Sequence, residues 1–224
     1  MKKSSAILIA IICLSTQFSN AQSTARYGLR GGITVASLQG DAVNNLNKLF
    51  DLSQGFVRTT SRTGFYAGGF VNLPLGSVIS IEPGLYYSQK GYTMSGDLSI
   101  KSINFLSANA KAELQSSYID APLVFSANLA GGLQVFAGPQ VSYLVKNNLQ
   151  VKAGALGLSL FKKNMDVTNN FKKWDVGLTG GIAYQFNNGL NIQAGYDYGL
   201  SKVDANKSLN SYNRSIKVGI GMSL

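Results

Sequence analysis

Between Leu190 and Leu200 the chain alternates without a break. Leu190, Ile192, Ala194, Tyr196, Tyr198 and Leu200 are apolar, and Asn191, Gln193, Gly195, Asp197 and Gly199 between them are polar or lack a side chain. Side chains of a β-strand point to opposite faces in turn, so this segment has one wholly apolar face and one polar or very small face. Residues 212–224 repeat the pattern, with Tyr212, Ile216, Val218, Ile220 and Met222 opposed to Asn213, Ser215, Lys217, Gly219 and Gly221. Residues 174–186 do the same, from Trp174 and Val176 to Phe186 against Asp175, Gly177 and Gln185. Five earlier segments, 26–36, 63–75, 77–92, 113–127 and 133–146, alternate less purely.

The pattern therefore predicts eight strands, most of them 11–15 residues long. Strands of globular proteins run to about 5–6 residues, whereas a tilted strand needs about 9–11 to cross a bilayer. The connections alternate as well. Residues 74–77, 128–132 and 187–189 are short turns rich in Gly, Asn and Pro, while residues 37–62, 91–112, 147–173 and 201–211 are long. Short turns on one side and long loops on the other are the signature of an outer-membrane barrel. The expected fold is an all-β, closed, antiparallel, eight-stranded transmembrane β-barrel with both termini in the periplasm.

A soluble barrel with its apolar face inward fits less well. The polar face is mostly Gly, Ser, Asn, Gln and Thr, too small and too weakly charged for a soluble exterior. The apolar face carries aromatics near strand ends (Tyr27, Phe65, Tyr87, Trp174, Phe186, Tyr198, Tyr212), as an interfacial girdle does. Lys and Arg in mid-strand fall on the polar face, where they avoid a cost of roughly 2–4 kcal/mol at the lipid midplane. Arg214 shares the apolar parity but sits at the outer end of its strand.

Ahead of the strands, residues 1–21 read as a cleaved signal peptide: Lys2 and Lys3, a nine-residue apolar run from Ala6 to Leu14, and a small-x-small site at Ser19-Asn20-Ala21. The run is too short to span a membrane, which takes about 17–25 residues. Cleavage leaves residues 22–224 as the barrel domain and removes Cys13, the only cysteine. It also removes two lysines and no acid, so the net charge falls from +10 to +8.

Composition narrows the function. The 224 residues contain no His, and only 13% are charged against a usual value of about 25%. Without His, imidazole bases and His-ligated metals are excluded, and the loop acids Asp97, Glu113, Asp166 and Asp204 show no pairing in sequence. No catalytic, cofactor-binding or metal site is expected, and the chain is read as a non-enzyme without a cofactor.

An eight-stranded barrel has an interior just wide enough for side chains to fill. Arg30, Glu82, Asp120, Asp175, Asp197 and Lys217 all take the inward parity. Buried charges must be paired, so these six are expected to form a lumen charge network, structural in role, with a proton or ion path as the functional alternative. The first and last strands are neighbours on closure, which lets Arg30 and Lys217 approach each other and the acids. Pro83, Pro122 and Pro139 fall in consecutive strands at similar height. Proline lacks the ladder N–H, so a row of bulges is expected there.

The long segment 147–173 is the basic outer loop. Lys152, Lys162, Lys163, Lys172 and Lys173 face Asp166 alone, a local charge of +4. Outer-membrane lipid and lipopolysaccharide, whose phosphates supply the counter-charge, are the expected partners, with an envelope protein as a further one. Nucleic acid is not expected, because the charge is spread over loops without an aromatic stacking surface. Residues 41–50, with an Asp start and apolar Val43, Leu46, Leu49 and Phe50, are expected as a plain ordered loop, with a short amphipathic helix that plugs or covers the barrel mouth as the alternative.

Three segments carry a family resemblance: Ile81-Glu82-Pro83-Gly84-Leu85-Tyr86-Tyr87-Ser88-Gln89-Lys90-Gly91, Tyr118-Ile119-Asp120-Ala121-Pro122-Leu123 and Phe136-Ala137-Gly138-Pro139. Together they resemble the PorT-like outer-membrane β-barrel proteins of Bacteroidota, across essentially the whole mature chain. The resemblance implies an outer-membrane location. It implies no activity, although its namesake acts in secretion and maturation of exported proteins. The chain departs from many such barrels in ending on Leu224 instead of an aromatic. The functional expectation is a structural, surface-interaction or accessory secretion role, with a narrow, porin-like pore or transporter for small solutes or ions as the alternative.

Overall fold

The computed structural model describes residues 25–40, 56–99, 107–155, 158–203 and 211–224. The signal segment 1–21 and the amphipathic stretch 41–50 lie outside the described residues. Nine strands are described: β1 (Arg26–Gly40), β2 (Phe56–Pro74), β3 (Ile79–Ser99), β4 (Ser107–Asn128), β5 (Leu133–Ala155), β6 (Leu158–Asp166), β7 (Trp174–Gln185), β8 (Leu190–Gly199) and β9 (Ser211–Ser223). Eight of them close a ring in the order β1-β2-β3-β4-β5-β7-β8-β9, with β9 paired back to β1. Every pairing is antiparallel.

Alternation drives this closure. The outward set is apolar and open to the surroundings: Leu29, Ile33, Phe65, Leu85, Leu123, Phe125, Val176, Ile182, Val218 and Ile220 are all exposed. The inward set is polar and buried: Thr34, Ser88, Asp120, Ser142 and Asn191 are at most 2% exposed. This inside-out distribution suits a wall surrounded by hydrocarbon, and a continuous apolar belt of this size is not a soluble surface. No helix of the described residues is long and apolar enough to cross a membrane; the crossing elements are the strands.

The short connections fall where the alternation stops. Residues 75–78 join β2 to β3, a 3-10 turn at Ala130–Gly132 joins β4 to β5, and residues 186–189 join β7 to β8. Gly131 (φ 68°) and Gly189 (φ 87°) take left-handed backbone there, which residues with a Cβ adopt only under strain. The two ends of the described chain lie at the same rim as these turns, where the Leu224 N–H bonds the Tyr27 carbonyl at 2.7 Å.

Three sequence expectations change. The stretches 37–62 and 91–112 are not plain loops: β1 runs to Gly40, β2 starts at Phe56, β3 runs to Ser99 and β4 starts at Ser107, because their backbones stay paired above the lipid-facing wall. The stretch 147–173 is not a plain loop: β5 runs on to Ala155 and pairs with β6 over residues 148–155, while its first half pairs with β7. The prolines do not form a row of bulges. Pairing is interrupted beside Pro83 and Pro122 but resumes in the same register, and Pro139 stays in register opposite Leu178. The register shifts lie elsewhere, at Ser61/Tyr66, Ser117/Tyr118 and Ala153/Gly154. A lost N–H therefore opens the ladder locally without inserting a residue.

Candidate functional site

The lumen holds two charged clusters, one above the other. Nearer the short-turn rim, Arg30 of β1 meets Glu82 of β3, with Nη1 at 2.6 Å from Oε1 and Nη2 at 3.3 Å from Oε2. The same guanidinium donates to the Tyr86 hydroxyl at 3.1 Å and lies 4.1 Å from the centre of the Phe70 ring. Tyr66, Phe70 and Tyr86 pack together as a buried aromatic cluster, and Gln193 donates to the Tyr66 hydroxyl. Fork-shaped pairing, hydrogen bonds and an aromatic face replace the water this arginine lacks.

The second cluster centres on Asp120 of β4, which is wholly buried. One oxygen accepts from Lys90 of β3 at 2.9 Å, the other from Lys217 of β9 at 3.0 Å. Lys217 also reaches Asp197 of β8 at 2.7 Å, whose two oxygens accept from Thr179 and Ser215. Asp175 stands apart. It accepts from Asn213 at 2.7 Å through one oxygen, while the other is buried without a hydrogen-bond partner, and it belongs to none of these ion pairs.

Of the six expected lumen residues, the structure places Arg30 with Glu82, and Asp120 and Asp197 with Lys217. Arg30 and Lys217 both reach acids, but different ones: Glu82 for Arg30, Asp120 and Asp197 for Lys217. Lys90 was missed as a network member, although it follows Glu82, Tyr86 and Ser88 in even parity along β3. It is 3% exposed.

Little open space remains around these groups. A cavity of about 40 Å³ is lined by Arg30, Glu82, Tyr86, Gln140 and Lys217, among others. A second of about 10 Å³ lies beside Asp175, Asp197 and Asn213. A site needs roughly 10–15 Å³ of such volume per water, so these hold a few waters and one at most. Among the described residues no three His, Cys, Asp or Glu side chains are placed to hold a metal ion.

The five basic-loop lysines separate. Lys152 lies on β5 and Lys162 and Lys163 on β6, while Lys172 and Lys173 sit back at the barrel rim, their backbones bonded to Val203 and Leu144. Above the ring β4, β5 and β6 form a platform that β3 and β2 continue on its other side, through pairs from Gly91↔Gln115 to Ser99↔Ser107 and from Phe56↔Asp97 to Ser61↔Tyr92. Its register lines up Gln115, Asn148 and Asp166 in one row, Glu113, Gln150 and Asn164 in the next, and Lys111, Lys152 and Lys162 in the third. The Thr168 hydroxyl and backbone N–H both donate to Asp166, which holds its carboxyl below the usual range. Glu113 is paired with Arg62 at 2.9 Å.

Comparison with known proteins agrees with this architecture. A family model described as outer membrane protein beta-barrel domain matches residues 17–205, and the chain belongs to that family. It is an outer-membrane protein of the eight-stranded class. No curated protein sequence matches the chain. Among solved structures, Neisserial surface protein A is 12% identical, with 90% of this chain and 100% of that one covered, at a TM-score of 0.49. The attachment invasion locus protein Ail of Yersinia pestis is 10% identical, covering 89% and 99%, at 0.44. OprG from Pseudomonas aeruginosa is 11% identical, covering 90% and 96%, at 0.43.

Proposed function

We propose that this member of the outer-membrane β-barrel family is a non-conducting barrel whose work is done at its rims, in a structural, surface-interaction or accessory secretion role and without catalysis. The observation that carries the reading is the contact from Lys217 to Asp120 and Asp197, on strands from different sides of the ring, in a lumen otherwise filled by Arg30, Glu82, Tyr66, Phe70 and Tyr86. A solute would have to break buried ion pairs to pass, and uncompensated buried charge costs several kcal/mol. The strand-built platform, by contrast, adds polar surface that serves no purpose in closing the ring.

In this reading residues 1–21 direct export and are removed. The short turns and both termini face the periplasm, and the platform faces outward. The segments at residues 81–91, 118–123 and 136–139 support a place among the PorT-like barrels of Bacteroidota, and the accessory secretion role is taken from that family's namesake.

The test is photo-crosslinking in cells from single platform positions, from the short turns and from the lipid-facing control Ile220, followed by mass spectrometry. A recurring adduct from platform or turn positions, absent from Ile220, is expected. Platform and turn positions that give nothing beyond the control overturn the interaction reading.

A further inference from the structure

Along β4 the outward residues Phe125, Leu123, Ala121 and Ile119 are followed, in unbroken parity, by Ser117, Gln115, Glu113 and Lys111. The platform's polar face is thus the upward continuation of the lipid-facing wall. Groups on it project sideways over the outer leaflet, not into the barrel mouth. Lys152 stands directly opposite Lys111 on one side and Lys162 on the other. Directly opposed side chains in an antiparallel sheet have Cβ atoms only about 4.5–5.5 Å apart, and like charges there are destabilising. None of the ion pairs described above includes these three lysines.

Edge protection explains part of this. β6 is the free edge of the platform, and lysines on an edge strand discourage pairing with another chain. That accounts for Lys162 and Lys163, but not for Lys111 and Lys152 on the two interior strands. Three cations held in a row by register form a receptor for anions spaced along a chain.

Height selects which anions. Ile119 is level with Tyr143 and Trp174, the outer aromatic pair. Lys111 lies eight residues further on, about 26 Å along the strand and about 20 Å above the girdle at a tilt of about 40°. At headgroup level stands Lys146, opposite Ser117, while the buried Arg214 lies 3.6 Å over the Tyr198 ring and donates to the Gly199 and Asn213 carbonyls. The lysine row stands above them, in the saccharide layer. Below it lies an open depression of about 460 Å³ lined by Gln115, Asn148, Gln150 and Asn164 along with Glu113 and Asp166. Amides and carboxylates of this kind hydrogen-bond sugar hydroxyls.

We propose that the outer face of the β4-β5-β6 platform binds the phosphorylated saccharide of the outer-leaflet glycolipid, with Lys111, Lys152 and Lys162 pairing its phosphates and the amide rows below holding its sugar hydroxyls. The proposal rests on the reading of the platform as an interaction surface and names its partner.

The test uses the full barrel in detergent micelles and, as probe, phosphorylated core oligosaccharide freed from its lipid. Binding is expected to weaken with salt and to fall about tenfold in the Lys152→Gln/Lys162→Gln variant. Lys152→Arg/Lys162→Arg is expected to retain it, and so is Lys172→Gln/Lys173→Gln at the rim. A gel shift between unheated and boiled samples verifies that each variant is folded. Equal binding by Lys152→Gln/Lys162→Gln, equal binding of the dephosphorylated saccharide, or binding of the intact glycolipid only would overturn the proposal. If crosslinks from the platform go to a protein and the saccharide does not bind, this inference fails while the interaction reading stands. If neither the platform nor the short turns give a crosslink beyond the control, both fail.

Discussion

Lys217 and Asp120 are 97 residues apart in sequence and 3.0 Å apart across the lumen. They come from β9 and β4, strands that are not neighbours in the ring. The contact ties one wall to another, and Asp120 also holds the buried Lys90, whose ion pair is with Asp120 alone, whereas Lys217 keeps Asp197 as well.

Removing that carboxylate should therefore cost more than an average core substitution. Asp120→Ala is expected to destabilise the barrel by about 3–5 kcal/mol, the range for breaking a buried pair and leaving its partner uncompensated. Urea unfolding in lipid vesicles measures this. A midpoint equal to the wild type would show that the cluster does not hold the walls together.

Arg30 and Glu82 should be coupled. A double-mutant cycle with Arg30→Ala and Glu82→Ala is expected to return an interaction energy of about 1–3 kcal/mol, within the range for residues in direct contact. Additive effects would mean that the 2.6 Å contact contributes nothing net. Arg30→Ala alone is expected to lower the melting temperature, because it also strips the Tyr86 hydroxyl of its donor.

Gly219 faces the lumen at a point with no room for a side chain. A Cβ there would overlap the Tyr66 hydroxyl and come within 2.7 Å of the Gly31 carbonyl oxygen. Gly219→Ala is expected to cost about 1–3 kcal/mol by overpacking, and Gly219→Val to prevent folding, judged by loss of the gel shift on boiling. Normal folding of the valine variant would mean that the lumen is looser than described.

Trp174 is the only tryptophan, 62% exposed on the outer face and edge-on to Tyr143 at 4.9 Å. As an interfacial aromatic it should be quenched more strongly by lipids brominated near the headgroup than by lipids brominated near the chain end. The reverse order would place the girdle at the bilayer centre and shift the assignment of what lies above it.

The ring was legible because one rule governs it from rim to rim: apolar out, polar in. That rule located all eight ring strands, each within a few residues except at the platform end. It failed where the surroundings change. Above the girdle the outward parity of β4 turns polar at Ser117, Gln115, Glu113 and Lys111, while Leu114 on the inward parity is buried. On β5 a register shift opposite Ser117/Tyr118 moves the parity by one, so Lys146, Asn148, Gln150 and Lys152 follow Tyr143 and Val145 on the outer side. A strand whose faces exchange character reads in sequence as a strand that has ended. Inside the lumen, parity marks which charges enter but not which of them meet. Register and tilt decide that, which is why Lys90 and the separation of Arg30 from Lys217 emerged only from the structure. Outer-membrane location follows from the family and the fold together.

The most direct test of the account is single-channel recording from purified wild-type protein in planar bilayers. A lumen crossed by the Lys217 contacts to Asp120 and Asp197 is predicted to give no discrete conductance steps at moderate voltage. Reproducible steps in the wild type, abolished when the protein is heat-unfolded, would contradict it and make the narrow pore the function of this barrel.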